Sequence, residues 1–393
     1  MKKITIKFII LFVFILVACS KETSFIKAPP FEHHTNTIEE DLRIHLDYIF
    51  NNNQLLDNTY KGYTISYKSL SDNFEITNNI VKKISNNNVD NILIEATISG
   101  DNYHSSINID GILIDEYYAY VMSYFNGDIN SEVGRIAYSY DGLNWIETDI
   151  MITSNKLTKR VRDPFIIRNK EGNFTVVATV GYDSPYIYYW TTDNLKDYEN
   201  HKTIQVAIND DNLEMTGLRA WAPEIIYNVL DNLYYIYFSD PLHIAGGAIN
   251  YLTTNDFNEF TYPRSLLDLE YPVIDASVFR LNDHYYMLYK NEAIEALTIH
   301  YATTDNLANG FKDIYDNKYL INKRFVEGPF VVNNNDTNYL YVDDYRKETF
   351  KVGKFNDLDN IEWLNDTMYN LPKDVRHASV IKVTKKELDN LLN

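Results

Sequence analysis

Short stretches in which apolar and polar residues alternate run through most of the chain, the period-two signature of half-buried β-strands. From about residue 116 to 383 they recur in a fixed order. Each unit opens on a short apolar strand with a distinctive head. The heads are Arg162-Asp163-Pro164-Phe165-Ile166-Ile167, Trp221-Ala222-Pro223-Glu224-Ile225-Ile226, Ile274-Asp275-Ala276-Ser277-Val278-Phe279, Val326-Glu327-Gly328-Pro329-Phe330-Val331 and Arg376-His377-Ala378-Ser379-Val380-Ile381. With Asp163, Ala222, Asp275, Glu327 and His377 taken as equivalent, the steps are 59, 53, 52 and 50 residues. An aromatic second strand follows each of the first four heads (173–180, 233–239, 284–290, 337–343). A third ends in a polar turn such as Thr191-Thr192-Asp193 or Thr253-Thr254-Asn255. The Asp and Asn of these turns are expected to bond their own backbone and are given no catalytic part.

One unit is split. Residues 118–125, 135–140 and Trp145 supply second, third and fourth strands with no first strand ahead of them, and the matching first strand, 377–383, lies at the other end of the chain. Four whole units and one shared between the termini predict an all-β fold over 116–393, a five-bladed β-propeller closed by its N- and C-terminal strands. Closure removes the sheet edges that an open array would expose. Residues 385–392 read as a short terminal helix.

Ahead of the repeats, 37–115 carries clear strands at Tyr63-Thr64-Ile65-Ser66-Tyr67 and Ile92-Leu93-Ile94-Glu95-Ala96-Thr97-Ile98, separated by Asn-rich turns. The segment suits a small β-sandwich, and it resembles bacterial immunoglobulin-like modules, with a spacer role expected. Further upstream, Lys2 and Lys3 precede an apolar run, 8–18, of signal-peptide length and too short for a comfortable membrane span. The run ends Leu16-Val17-Ala18-Cys19, which resembles the bacterial lipoprotein signal. That resemblance implies removal of 1–18, lipidation of Cys19, and attachment to a membrane surface by acyl chains alone. The surface would be the outer membrane or the outer face of the plasma membrane. Residues 19–36, with Pro29-Pro30, read as a tether, and His33-His34 as solvated rather than metal-binding. Cys19 is the one cysteine in the chain, so no intramolecular disulfide stabilises the fold.

Composition narrows the partners. Of 393 residues 45% are hydrophobic and 23% charged, the balance of a folded chain with ample core. A formal net charge of −19 argues against nucleic acid or an anionic lipid surface and is compatible with a neutral ligand.

In a closed ring the first strand of every blade lines the axis, so the strand heads meet at one mouth. Asp163, Asp275, Glu327 and His377, remote in sequence, are expected to converge there with Trp221 beside them. Gathering three carboxylates is costly, because each raises the pKa of the others. A catalyst uses that splitting by keeping one carboxyl protonated and another ionised, as carboxylate pairs do across a glycosidic bond. Trp221 is a candidate stacking platform for a sugar. Arg162 and Arg376 precede ring positions and are candidates for neutralising the carboxylates or binding substrate. Arg346 is a further candidate for sugar hydroxyls. Glu224, two places beyond the register, reads as a supporting strand residue.

Taken together and in order, the heads Arg162-Asp163-Pro164, Trp221-Ala222-Pro223-Glu224, Ile274-Asp275-Ala276 and Glu327-Gly328-Pro329 resemble those of glycoside hydrolase family 43, over about 116–390. The resemblance implies an inverting hydrolase of arabinose-, xylose- or related sugar-containing polysaccharides or oligosaccharides. It implies Asp163 as general base, Glu327 as general acid, and Asp275 as the residue that orients Glu327 and keeps its pKa raised. His377 resembles the family's fifth-blade histidine, which often lies beside an axial calcium or its water; a structural Ca2+ is the one cofactor expected, and none is required. A monomer is expected. Two features depart from the family: Ala378 follows the histidine where glycine is common, and a long polar insertion separates Tyr198 from Trp221. The alternative is a non-catalytic glycan-binding lipoprotein built on the same ring.

Overall fold

The inner strands form because each head is followed by a run of β-branched and aromatic residues that fits a pleat buried on both faces. In the computed structural model they are β1 (Arg162–Arg168), β2 (Trp221–Asn228), β3 (Val273–Leu281), β4 (Glu327–Asn334) and β5 (Arg376–Thr384). The structure describes residues 24–26, 34–127, 132–153, 160–208, 219–241, 248–293, 296–313, 320–321, 323–334, 337–347 and 349–393. The apolar leader, Cys19, His33 and residues 209–218 of the long insertion lie outside them.

Among the described residues each inner strand begins a four-stranded antiparallel sheet. Outward from β1 run Phe174–Thr179, Tyr186–Thr192 and Glu199–Gln205. β5, from the far end of the chain, pairs with Tyr117–Asn126, placing Arg376 opposite Phe125 and Val383 opposite Ala119. The inner strands touch in ring order, and β5 touches β1.

A shared apolar core fills each gap between neighbouring sheets. Val177 and Tyr189 meet Ile225 and Ile236; Tyr235 and Ile249 meet Met287 and Ala302; Leu288 and Ile299 meet Leu340 and Val342. Tyr341 and Phe350 then meet Met122 and Trp145, and Val121 and Ile136 meet Ile166 and Val176. A fully buried side chain such as Met122 or Phe350 contributes about 1.5–3 kcal/mol by leaving water.

Residues 37–115 differ from the sandwich expected of them. They open on a helix, α1 (Ile38–Leu46), started by a capping box between Thr37 and Glu40 and by three acids in its first turn. One five-stranded sheet follows, with Ile49–Asn51 parallel to Tyr103–Ile114 and the long hairpin Val89–Gly100 with Tyr103–Ile114 at its centre. Leu42 and Leu46 of α1, with Phe74 and Val81 of a small hairpin, pack on Ile92, Ile94, Ile98 and Ile109. Ile38, Leu42 and Leu46, four apart, thus occupy the side where a second sheet was expected.

This module packs against the ends of the inner strands remote from their heads. Tyr48 donates to the Arg168 carbonyl (2.7 Å), Lys170 pairs with Asp110, and Ile44 joins the core between the β2 and β3 sheets. His45 lies between Asp283 (3.0 Å) and Asp57 (3.1 Å). Part of the expected tether is also ordered: Ser24–Ile26 runs parallel to Glu259–Thr261, with Phe25 against Phe260 and Tyr262.

The expected terminal helix, α2 (Lys385–Leu392), starts directly from the end of β5 with Thr384 as its cap. Its Leu388 and Leu391 enter the core between the last sheet and the first. Glu387 completes the capping box and also grips Arg168 at the end of β1, with one oxygen 2.8 Å from the guanidinium. The two termini of the ring are thereby joined by side chains as well as by strand pairing.

Candidate active site

At the head of every inner strand the ladder slips in the same way. The shifts fall between Arg162 and Phe165, Trp221 and Glu224, Ile274 and Ser277, Glu327 and Phe330, and Arg376 and Ser379. Inside each bulge one residue takes a positive φ: Asp163 (49°), Ala222 (43°), Asp275 (56°), Gly328 (50°) and His377 (28°). These five are the true equivalents, at steps of 59, 53, 53 and 49 residues. Glu327 stands one place earlier, level with Arg162, Trp221, Ile274 and Arg376, which corrects the register expected from the sequence. Alignment by the acid was off by one because the backbone aligns this head by its glycine. A bulge redirects a side chain out of the ladder, so Asp163, Asp275 and His377 share one geometry and Glu327 arrives from another.

Gly328 explains where His377 goes. A Cβ on Gly328 would lie 3.0 Å from His377 Cγ and Nδ1, so the imidazole lies against the place where a side chain on Gly328 would begin. There its Nδ1 is 3.6 Å from Asp163 Oδ1 and 3.8 Å from Asp275 Oδ2. Burial alone would lower the imidazole pKa, but the Asp163, Asp275 and Glu327 carboxylates outweigh it and raise the pKa above its ordinary value.

The three acids are held differently. Asp163 Oδ2 accepts from Thr179 Oγ1 (2.7 Å). Burial pushes the Asp163 pKa up, yet His377 and Arg162 together bring it below the usual carboxylate range. Asp275 donates its amide to Ser239 Oγ (2.8 Å) and accepts the Gly328 amide at Oδ2 (3.2 Å). In Asp275 burial wins, and the carboxyl is pushed up to about 6. Glu327 accepts from Lys290 Nζ at Oε2 (2.9 Å) and from Arg376 Nη2 at Oε1 (2.8 Å). Burial would raise its pKa, but Lys290 and then Arg376 hold it below the usual value, opposite to the raised pKa expected of it. Among the described residues the carboxyl pushed furthest up is Glu224, to about 7, because burial outweighs the short bond from Tyr237 (2.6 Å) and the weaker help of His377 and Ser277.

The remaining candidates are placed as follows. Trp221 is half-buried; its Nε1 donates to the Tyr182 carbonyl (2.8 Å), and its ring lies 4.9 Å from the exposed ring of Tyr182. Arg162 is paired with Glu132 (3.2 Å), while Arg376 bridges Asp343 (2.6 Å) and Glu327. Arg346 is exposed, with its guanidinium over the ring of Phe325. Sequence reasoning missed Lys290, Tyr182, Glu132 and Arg219, whose guanidinium lies over the ring of Tyr182 (4.1 Å). Lys290 had a signal, since it ends a second strand opposite a head; Tyr182, Arg219 and Glu132 lie in or beside loops, where no periodicity marks them.

Calcium takes six to eight oxygen ligands. Among the described residues no group of three His, Cys, Asp or Glu side chains gathers as a metal site, and His377 Nδ1 faces two carboxylates at ion-pair distance. No step below passes through a metal.

No curated relative matches the sequence. Among solved structures the chain is similar to a thermostable family-43 glycoside hydrolase, at 20% identity over 52% of this chain and 72% of that one, with a TM-score of 0.40. It is also similar to the α-L-arabinanase of Cellvibrio cellulosa complexed with arabinohexaose (14% identity, 65% and 96% covered, TM-score 0.45). A third is an endo-1,4-β-xylanase from Bacteroides thetaiotaomicron (14% identity, 63% and 91% covered, TM-score 0.46). A family model described as "Probable glycosyl hydrolase domain" and related to family 43 matches residues 115–389, a span that takes in all five sheets of the ring. The chain belongs to this family, and the protein is a glycosidase.

Proposed function

We propose that the protein hydrolyses arabinose-, xylose- or related sugar-containing polysaccharides or oligosaccharides by single displacement with inversion. The observation that carries the mechanism is the gathering of Asp163, Asp275 and Glu327 at one mouth of the ring, with Asp163 held as a carboxylate. The substrate class rests on the resemblance of the strand heads to family 43. On the same reading the lipid on Cys19 holds a monomeric enzyme at the bacterial surface.

Asp163 takes a proton from water as the water oxygen bonds to the anomeric carbon. The bond from that carbon to the leaving oxygen breaks, the electron pair stays on the oxygen, and Glu327 supplies its proton. Asp163 then returns a proton to solvent and Glu327 regains one, so each turnover consumes one water. Asp275 orients Glu327 through the backbone, because it accepts the amide of Gly328, the next residue. His377 balances Asp163 and Asp275 between their carboxylates. Trp221 and Tyr182 offer an aromatic face on which a sugar stacks. Inversion requires the base and acid carboxyls to stand about 6.5–9.5 Å apart in the working complex.

An activated aryl glycoside needs little protonation of its leaving group. Glu327→Gln should therefore retain much of its activity on such a substrate and lose it on an oligosaccharide, whereas Asp163→Asn should lose both. Proton NMR of the first-formed product should show the inverted anomer. Equal losses for Glu327→Gln on both substrates would sink the role of acid. Oligosaccharide binding without release by the wild type would favour a glycan-binding protein instead.

A further inference from the structure

The repeat places one residue of each second strand opposite the residue before the bulge. Thr179, Ser239, Lys290, Asp343 and Phe125 stand opposite Arg162, Trp221, Ile274, Glu327 and Arg376. In three sheets this side chain accepts the amide of the positive-φ residue in the next sheet. Thr179 Oγ1 accepts from Ala222 (2.9 Å), Ser239 Oγ from Asp275 (2.8 Å) and Asp343 Oδ2 from His377 (3.4 Å). Two sheets break this rule: in the β5 sheet Phe125 has no acceptor to offer, and in the β3 sheet the position is Lys290. An ammonium has no acceptor, so Lys290 cannot take the amide of Gly328, which goes to Asp275 instead.

Lys290 is thereby released from the structural task of its equivalents. Its side chain is 3% exposed, and its Nζ lies 2.9 Å from Glu327 Oε2 and 2.7 Å from Glu292 Oε2. The ammonium thus bridges two carboxylates, hydrogen-bonded to Glu327 Oε2 and ion-paired with Glu292 Oε2. Glu292 itself is 36% exposed, so the ammonium stands between a site carboxylate and one that opens toward solvent.

We propose that Lys290 is a positioning residue shared between two carboxylates: its ammonium holds Glu327 while the site is empty and passes to Glu292 when a glycan enters, releasing Glu327 to accept a proton. The proposal rests on Glu327 being the acid. It resolves a conflict in the empty site, where Glu327 carries two cationic partners and a general acid needs a proton. Arg376 stays on Glu327 Oε1, but its charge is already shared with Asp343. The other charged or titratable groups around Glu327 are His377 from β5, Asp275 from β3, Arg162 from β1, and Asp343 and Tyr345 from its own sheet.

The test is the pH profiles of kcat and kcat/KM on an arabino- or xylo-oligosaccharide that the wild type cleaves. The alkaline limb of kcat reports the acid of the glycan complex, and that of kcat/KM the acid of the free enzyme. In the wild type the kcat limb should lie above the kcat/KM limb; coincident limbs overturn the transfer. Lys290→Met should move the kcat/KM limb up by about one unit, the ordinary effect of losing an adjacent opposite charge. Glu292→Gln, which leaves the ammonium to Glu327 alone, should move it down. Lys290→Arg, which keeps a cation, should restore a limb near that of the wild type. Limbs that stay put in the Met and Gln variants, or that move the same way, overturn the proposal. If Lys290→Met fails to fold, Glu292→Gln at its half-exposed position decides alone. The activated-glycoside comparison separates the two failures. If Glu327→Gln loses equally on both substrates, the acid assignment has failed; if it behaves as expected and the limbs do not move, only the role of Lys290 has.

Discussion

Gly328→Ala isolates the contact that seats His377 at the axis. The added Cβ would meet His377 Cγ and Nδ1 at 3.0 Å, where an optimal carbon contact is about 3.5–4.0 Å. The imidazole would have to give by a few tenths of an ångström, and it moves against Asp163 and Asp275. The backbone contribution can be separated. Alanine at φ +50° costs about 1–2 kcal/mol, while loss of glycine's freedom in the unfolded chain returns about 0.4–1 kcal/mol. These leave a net cost of under about 1 kcal/mol, and Asp163, Ala222, Asp275 and His377 all carry side chains in the same conformation. Overpacking adds about 1–3 kcal/mol, so the total expected loss is about 2–3 kcal/mol by urea unfolding. Displacement of His377 should also lower kcat/KM on the order of tenfold, because site geometry is sensitive on this scale. A double-mutant cycle checks the cause: on a His377→Ala background Gly328→Ala should cost under about 1 kcal/mol. A loss equally large with and without the imidazole would refute the reasoning, since the strain would then lie in the backbone.

Two further perturbations probe the ring away from that contact. The Glu224 carboxyl, pushed up to about 7 by burial, keeps a proton that the unfolded chain gives up near 4.5; its contribution is full below about 4.5 and is lost as pH rises through about 7. Glu224→Gln should therefore match the wild type near pH 4 and exceed it by up to about 3 kcal/mol at pH 8 in urea melts, and parallel pH dependences would show that Glu224 is not neutral in the fold. Glu387→Ala leaves the guanidinium of Arg168, 4% exposed, with the Gly172 and Lys382 carbonyls and the ring of Phe174 among the described residues. It should cost about 3 kcal/mol, and a loss under about 1 kcal/mol would mean that the clamp between α2 and β1 does not help to close the ring.

The sequence carried the ring plainly, because strand alternation and a repeat of about 50 residues both survive in every unit. Even the split unit was legible, since its first strand was missing at one end and present at the other. What the pattern hid was a single-residue offset. Val326-Glu327-Gly328-Pro329 invites alignment by its acid, and nothing in residue type announces that Asp163, Ala222, Asp275 and His377 share a left-handed backbone with Gly328. α1 was hidden for a related reason: its apolar face needs only Ile38, Leu42 and Leu46, too few to stand out beside strands of the same module. Once the offset is corrected, the repeat becomes a tool for reading chemistry. Thr179, Ser239 and Asp343 obey one rule, tying each bulge to the sheet before it. Gly328 and Lys290 depart from their equivalents, and they do so beside the same carboxylate. One omits a side chain against His377, and the other brings a cation to Glu327. Both departures therefore bear on Glu327, the carboxyl that the proposed mechanism uses as its acid.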